Sequence, residues 1–253
     1  SIESELTQQV GIVNSYEDLA QNIEKGRVSV MLHIEGAECI NSDLSNIEEY
    51  YEKGIRSIGP VWSRPNVFGN GVPFKFPSSP DTGDGLTEAG KELIKKCNEL
   101  GILVDLAHIN YKGFFDVARI TTKPLIVSHT AVNRLCNSTR NLLDDQIDEV
   151  GKSHGIIGII FEPINTRSNG KENEDTSLQV IVDHILYVGN RIGFECVGFG
   201  SDFDGAQTPK EMKNVSKIQN LIEKLRANGL GEEVIEKIAF GNWLRVIKET
   251  FKI

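Results

Sequence analysis

Short apolar runs bounded by glycine or proline recur along this chain, and several run into a charged or imidazole side chain. Two of them set the frame: Ile102–His108 (Ile-Leu-Val-Asp-Leu-Ala-His), which follows Gly101, and Pro124–His129 (Pro-Leu-Ile-Val-Ser-His). Apolar runs of this length, punctuated in this way, read as parallel strands buried on both faces. Tyr111–Arg119 lies between them and reads as a helix, with Phe114, Phe115 and Val117 as its apolar residues. The same pattern predicts strands at Val28–Ile34, Ile55–Val61, Gly155–Phe161 and Cys196–Gly200.

Helices fill the intervals. One runs over Tyr16–Lys25, capped by Ser15 and ended by Gly26, and one from Ser42 to about Lys53, ended by Gly54. Thr87 caps a third, which reaches Leu100 and stops at Gly101. These starts and stops follow from side-chain oxygens that accept the first free N–H groups and from glycine at the carboxyl end. Further helices are predicted at Asp144–Gly151, Thr176–Asn190, Val215–Asn228, Glu232–Ile238 and Gly241–Phe251. Residues 1–14 are polar and carry no pattern, and Asn165–Asp175 reads as a polar loop. Val67–Gly85 is a long loop rich in Gly, Pro, Asn and Ser, a length that in a compact domain marks a functional or mobile segment.

Strict strand–helix alternation means a parallel sheet with helices packed outside it. The 253 residues suit one α/β domain over 1–253, near the usual size of an α/β barrel, and show no internal linker. Six strands are two short of a closed barrel, so the sheet is either open or lacks two strands at the front.

Net charge is −9, from 27 basic and 36 acidic residues, which argues against nucleic acid or an anionic membrane as partner. The chain has no apolar run long enough to span a bilayer and no secretory signal, although it begins at Ser1 rather than methionine. Cys39, Cys97, Cys136 and Cys196 are scattered and define no disulfide framework. They read as mostly buried thiols in a reducing compartment, so a cytoplasmic location is expected.

Four strand ends carry chemistry: Glu35, His108, His129 and Asp202. Parallel α/β folds place ligands at the carboxyl ends of their strands, so all four share one rim. One carboxylate with two imidazoles matches a hydrolytic zinc site. A second carboxylate nearby orients a water or takes its proton. Each residue alone has an ordinary structural role: helix start for Glu35, turn for Asp202 and Asp204, hydrogen-bonded core for the histidines. The joint placement favours the metal. Arg140 follows His129 and suits bidentate binding of a substrate carboxylate, against the commoner role of a surface arginine. His33 shares the Glu35 face of its strand and is a supporting or core residue, while His154 and His184 fall to structural roles.

These residues fall into an order. Ile34-Glu35-Gly36, Asp105-Leu106-Ala107-His108, Ser128-His129, Arg140-Asn141, Gly198-Phe199-Gly200-Ser201-Asp202-Phe203-Asp204-Gly205 and Gly241-Asn242-Trp243-Leu244-Arg245-Val246 together resemble the membrane (renal-type) dipeptidase family, peptidase family M19. The resemblance runs from about residue 28 to the end. It implies a TIM-like (β/α)8 barrel of the metal-dependent hydrolase type, lacking here its first two strands, with two zinc ions on the carboxyl rim. Glu35 would bridge the metals, His108 and His129 would bind the second, and Arg140 would hold the dipeptide carboxylate. Asp202 would handle the proton as the peptide bond breaks. A homodimer is a further possibility.

The sequence departs from the family pattern twice. The His-x-Asp motif that binds the first metal has no counterpart before Glu35, so against the two zinc ions the family implies, one or none is the alternative for this chain. Trp62 stands where the family has a substrate-contacting histidine; it cannot bind zinc or accept a proton, but it can wall the substrate pocket. Beside a zinc dipeptidase, two readings therefore stay open: another metal-dependent amidohydrolase, or a catalytically impaired or non-enzymatic member.

Overall fold

Alternate residues of the central strands bury themselves in different clusters, which is why those strands are apolar almost throughout. Val127, Ile157, Ile159 and Val197 pack with the outer helices, while Leu103, Ile126 and Ile156 pack with Val13, Val246 and Phe251. The structure is a computed structural model and describes residues 9–251. Its strands are β1 (Val10–Ile12), β2 (Val28–Val30), β3 (Leu32–Glu35), β4 (Ile55–Gly59), β5 (Leu103–Val104), β6 (Ile126–Thr130), β7 (Ile156–Ile159) and β8 (Val197–Phe199).

Every strand pairing is parallel: β1 with β2, β3 with β4 and β5, and β6 with β7 and β8. Strands β2 and β3 follow each other across Met31. A bridge from Asp105 to Ile126, with the Leu106 N–H donating to Ile126 O at 2.8 Å, joins β5 to β6. Among the described residues no pairing links β8 back to β1, so the sheets are parallel and unclosed.

The helices are α1 (Tyr16–Glu24), α2 (Ile47–Glu52), α3 (Glu88–Leu100), α4 (Tyr111–Ile120), α5 (Asp144–Lys152), α6 (Pro163–Thr166), α7 (Gln179–Ile192), α8 (Ile218–Ala227), α9 (Glu232–Glu236) and α10 (Asn242–Thr250). Ser15, Thr87 and Asn110 cap α1, α3 and α4 by accepting the N–H of Asp18, Gly90 and Gly113. Gly101 ends α3 at φ 75°, a left-handed turn that glycine takes without a Cβ penalty. Ile47, Ile58, Phe68, Leu93 and Cys97 seal α2 and α3 against β4. Each such fully buried aliphatic or aromatic side chain contributes about 1.5–3 kcal/mol relative to exposure.

Four expectations need correction. Val10–Ile12 forms a strand in the stretch that looked unpatterned, because three residues paired with β2 are too few to show a period. The helix expected from Ser42 begins only at Ile47, since Leu44 turns left-handed (φ 61°) and Asn46 stands at the cap. Helix α7 starts at Gln179 rather than Thr176, and α6 occupies part of the expected 165–175 loop.

The long loop over residues 67–85 is pinned rather than free. The Val72 N–H donates to His108 O at 2.8 Å, Thr139 N–H to Lys75 O at 3.1 Å, and Ser78 N–H to Asn137 O at 2.8 Å. It therefore ties the His108 turn to the segment that carries Arg140. Gly71 makes the close approach possible: a Cβ there would lie 1.6 Å from Trp62 O.

Candidate metal centre

Glu35 ends β3, and His129 is the penultimate residue of strand β6. His108 follows β5 in a left-handed conformation (φ 67°), and Asp202 follows β8 at φ 56°. Non-glycine residues held there cost energy, and such strain gathers at functional sites. The backbone thus turns these side chains onto one rim, as the strand ends required.

Glu35, His108 and His129 converge. The two Nε2 atoms lie 3.0 Å apart, and Glu35 Oε1 is 3.0 Å from His108 Nε2 and 3.4 Å from His129 Nε2. Zinc bonds of about 2.0–2.1 Å in a tetrahedral site put neighbouring donors roughly 3.3 Å apart. The three distances therefore suit one face of such a site.

The protonation states support the same fit. Burial, with the Arg140 charge close by, pushes His108 down to about 2 and His129 down to about 3. Both rings are neutral at pH 7, each with one lone pair. Ser128 decides which nitrogen of His129 bears it. The Ser128 hydroxyl donates to Asp105 Oδ2, so its oxygen accepts from His129 Nδ1 at 2.7 Å. The lone pair of His129 then sits on Nε2, facing Glu35. His108 Nδ1 makes the corresponding contact with Ser63 Oγ at 2.7 Å. A carboxylate oxygen and two Nε2 atoms this close form a donor set that suits a divalent metal of the zinc type.

Asp105 was not marked in the sequence as a site residue. Only 3% exposed, it accepts the N–H groups of Ala107 at 3.0 Å and Ser128 at 2.8 Å. Its other oxygen lies 3.8 Å from His33 Nε2, whose Nδ1 meets Ser57 Oγ at 2.8 Å. A polar chain thus runs from Ser57 through His33, Asp105 and Ser128 to His129. The available signal was a carboxylate inside an otherwise apolar strand run. His184, as expected, is structural: its Nδ1 accepts from Val132 N–H at 3.0 Å.

Arg140 is buried, not a surface residue, and is 5% exposed. Among the described residues its side chain makes one hydrogen bond, from NH2 to His129 O at 3.2 Å. Its remaining donors are free for a ligand. Asp202 is pushed up to about 6 by burial and by the Glu35 charge, against the pull of Arg140. Trp62 stands over the rim, its ring centroid 5.7 Å from that of His108 and 5.5 Å from that of Phe74. Glu162, beyond the end of β7, was also missed in the sequence. Its carboxyl is raised by burial, with Asp202 and Arg140 acting on it.

A parallel α/β sheet with a carboxylate and two neutral imidazoles gathered on its rim defines a class, the metal-dependent hydrolase-type domains. The comparisons with known proteins narrow it. The membrane dipeptidase family (peptidase family M19) matches residues 1–253, and the chain belongs to that family. It is 41% identical over 237 residues to a Klebsiella pneumoniae protein of the pqqA 5′ region, covering 92% of this chain and 88% of that one. It is 30% identical over 234 residues to dipeptidase tcpJ of Claviceps purpurea, covering 92% of this chain but 53% of that one. A crystal structure of a metallo peptidase from Rhodobacter sphaeroides, liganded with a phosphinate mimic of L-Ala-D-Ala, superposes with a TM-score of 0.97 at 39% identity. That match covers 99% of this chain and 71% of the other. Among the described residues no helix is long and apolar enough to cross a membrane.

Proposed function

We infer that this chain is a zinc-dependent dipeptidase, with Glu35, His108 and His129 as metal ligands. The observation that carries the reading is the convergence of one carboxylate oxygen and two neutral Nε2 atoms within 4.8 Å of one another. Three protein donors leave a fourth position open, the pattern of catalytic rather than structural zinc. Zinc held there supplies Lewis acidity, which acidifies water and polarises a carbonyl. Among the described residues these three form the one such ligand group, so one metal per chain is expected at this cluster.

The remaining steps fall to the chain's own side chains. Arg140 pairs with the free carboxylate of the dipeptide through its unused donors. Trp62 and Phe74 wall the pocket beside His108. Asp202, set near neutrality, takes a proton from the attacking water and returns it to the leaving amine.

The test is hydrolysis of a dipeptide panel by the zinc-supplied chain, with C-terminally amidated versions alongside. Cleavage of the free acids and not of the amides is expected. Equal cleavage of both would remove the carboxylate-binding role, and cleavage of neither would remove the dipeptidase reading.

A further inference from the structure

Beyond the metal ligands, the rim holds a second carboxylate whose place in the reaction is unassigned. Glu162 lies just past β7, between the Arg140 segment that follows β6 and the Asp202 turn that follows β8. It is not loosely placed. The Asn165 side-chain amide donates to Glu162 Oε2, and the Thr166 hydroxyl donates to the Glu162 carbonyl at 2.8 Å. Asn165 is 4% exposed, and its Oδ1 accepts from the Ser138 hydroxyl at 2.8 Å. The Asn141 side chain donates to Asn165 O, also at 2.8 Å. Ser138 and Asn141 bracket Arg140, so one buried polar scaffold holds both the guanidinium and the Glu162 carboxylate.

The two charges act on each other without forming an ion pair. Glu162 is the carboxylate that acts most strongly on Arg140, ahead of Asp202, yet no ion pair joins them within 4.0 Å. Burial raises the Glu162 carboxyl, and the Asn165 hydrogen bond and then the Arg140 charge offset this only in part. A carboxylate in that position opposes any ligand that brings only negative charge. It favours one that brings a carboxylate to Arg140 and a cation to Glu162.

Resting on the dipeptidase reading, we propose that Glu162 is a specificity-determining residue: the substrate residue whose carboxylate Arg140 holds carries a cationic side chain, which Glu162 pairs. The substrate class is then dipeptides with a basic carboxyl-terminal residue. A half-buried carboxylate held by Asn165 favours such a group through charge pairing, which a neutral substrate does not supply.

The test compares Ala-Lys, Ala-Met and Ala-Glu on the zinc-loaded chain, by kcat/KM and by calorimetric Kd. Ala-Lys should exceed Ala-Met by roughly tenfold or more in either measure, with Ala-Glu weakest. Glu162→Gln should bring the Lys-to-Met ratio close to one. A mere loss of packing would lower all three substrates together and leave that ratio standing. Equal handling of Ala-Lys and Ala-Met by the native chain, or an unchanged ratio in the variant, overturns the proposal. Tighter binding of Ala-Lys with no hydrolysis of any peptide would sink the dipeptidase reading and still support the Glu162 pairing.

Discussion

His108 Nε2 and His129 Nε2 approach to 3.0 Å although the residues come from different strand ends. The approach does not rest on that contact alone. It persists because both rings are fixed from behind, His129 by Ser128 and Asp105 and His108 by Ser63. Metal-binding histidines are commonly oriented this way, through the nitrogen that does not touch the metal.

That support is open to test. Ser128→Ala removes the acceptor of His129 Nδ1–H and frees the ring to change tautomer. Asp105→Asn keeps an oxygen for the Ala107 and Ser128 N–H groups but loses the negative charge. Each should weaken zinc binding roughly 10–100-fold, measured by competition with a chromophoric chelator. Native affinity in both variants would show that the Asp105 chain does not orient the ligand.

Arg140→Ala should raise KM for dipeptides roughly tenfold or more, because a charge-assisted contact to the substrate carboxylate is lost. Stability should change less, since burial already disfavours the charged guanidinium there. Arg140→Lys should not restore KM, as an ammonium cannot reproduce a bidentate contact. An unchanged KM in the alanine variant contradicts the assignment.

Acid should destabilise the metal-free chain. His108 and His129 titrate near 2 and 3 in the folded state, below the ordinary 6.5, so between about pH 6.5 and 3 the unfolded chain binds more protons. Their stabilisation is complete above pH 6.5 and falls with pH through that window, by about 1.4 kcal/mol per pH unit for each ring. Asp202 works in the opposite sense between its ordinary value of 3.8 and about 6, where the folded state holds the extra proton. Two histidines outweigh one half-exposed carboxyl. Urea unfolding of chelator-treated protein should therefore show stability declining from pH 6.5 to 4; a flat or rising profile rules out buried neutral imidazoles.

Much of this was legible in the sequence because the strands are buried on both faces and end on polar residues. Apolar runs closed by His108, by His129 and, one residue on, by Glu35 announce both the sheet and its rim. The supporting contacts were not legible. Ser63 meets His108 across 45 positions, and Asp105 meets Ser128 across 23. Only the fold brings them together. The Trp62 ring likewise reaches His108 only through the fold. Strand β1 escaped notice because its order comes from pairing with β2 rather than from its own three residues.

The most direct measurement is zinc per chain by elemental analysis, on the native protein and on His129→Ala after identical loading and desalting. About one tightly held zinc is expected in the native chain, from one cluster of three protein donors, with its loss in the variant. A native chain that holds no zinc, or a variant that keeps all of it, would contradict the assignment of Glu35, His108 and His129 as the metal centre.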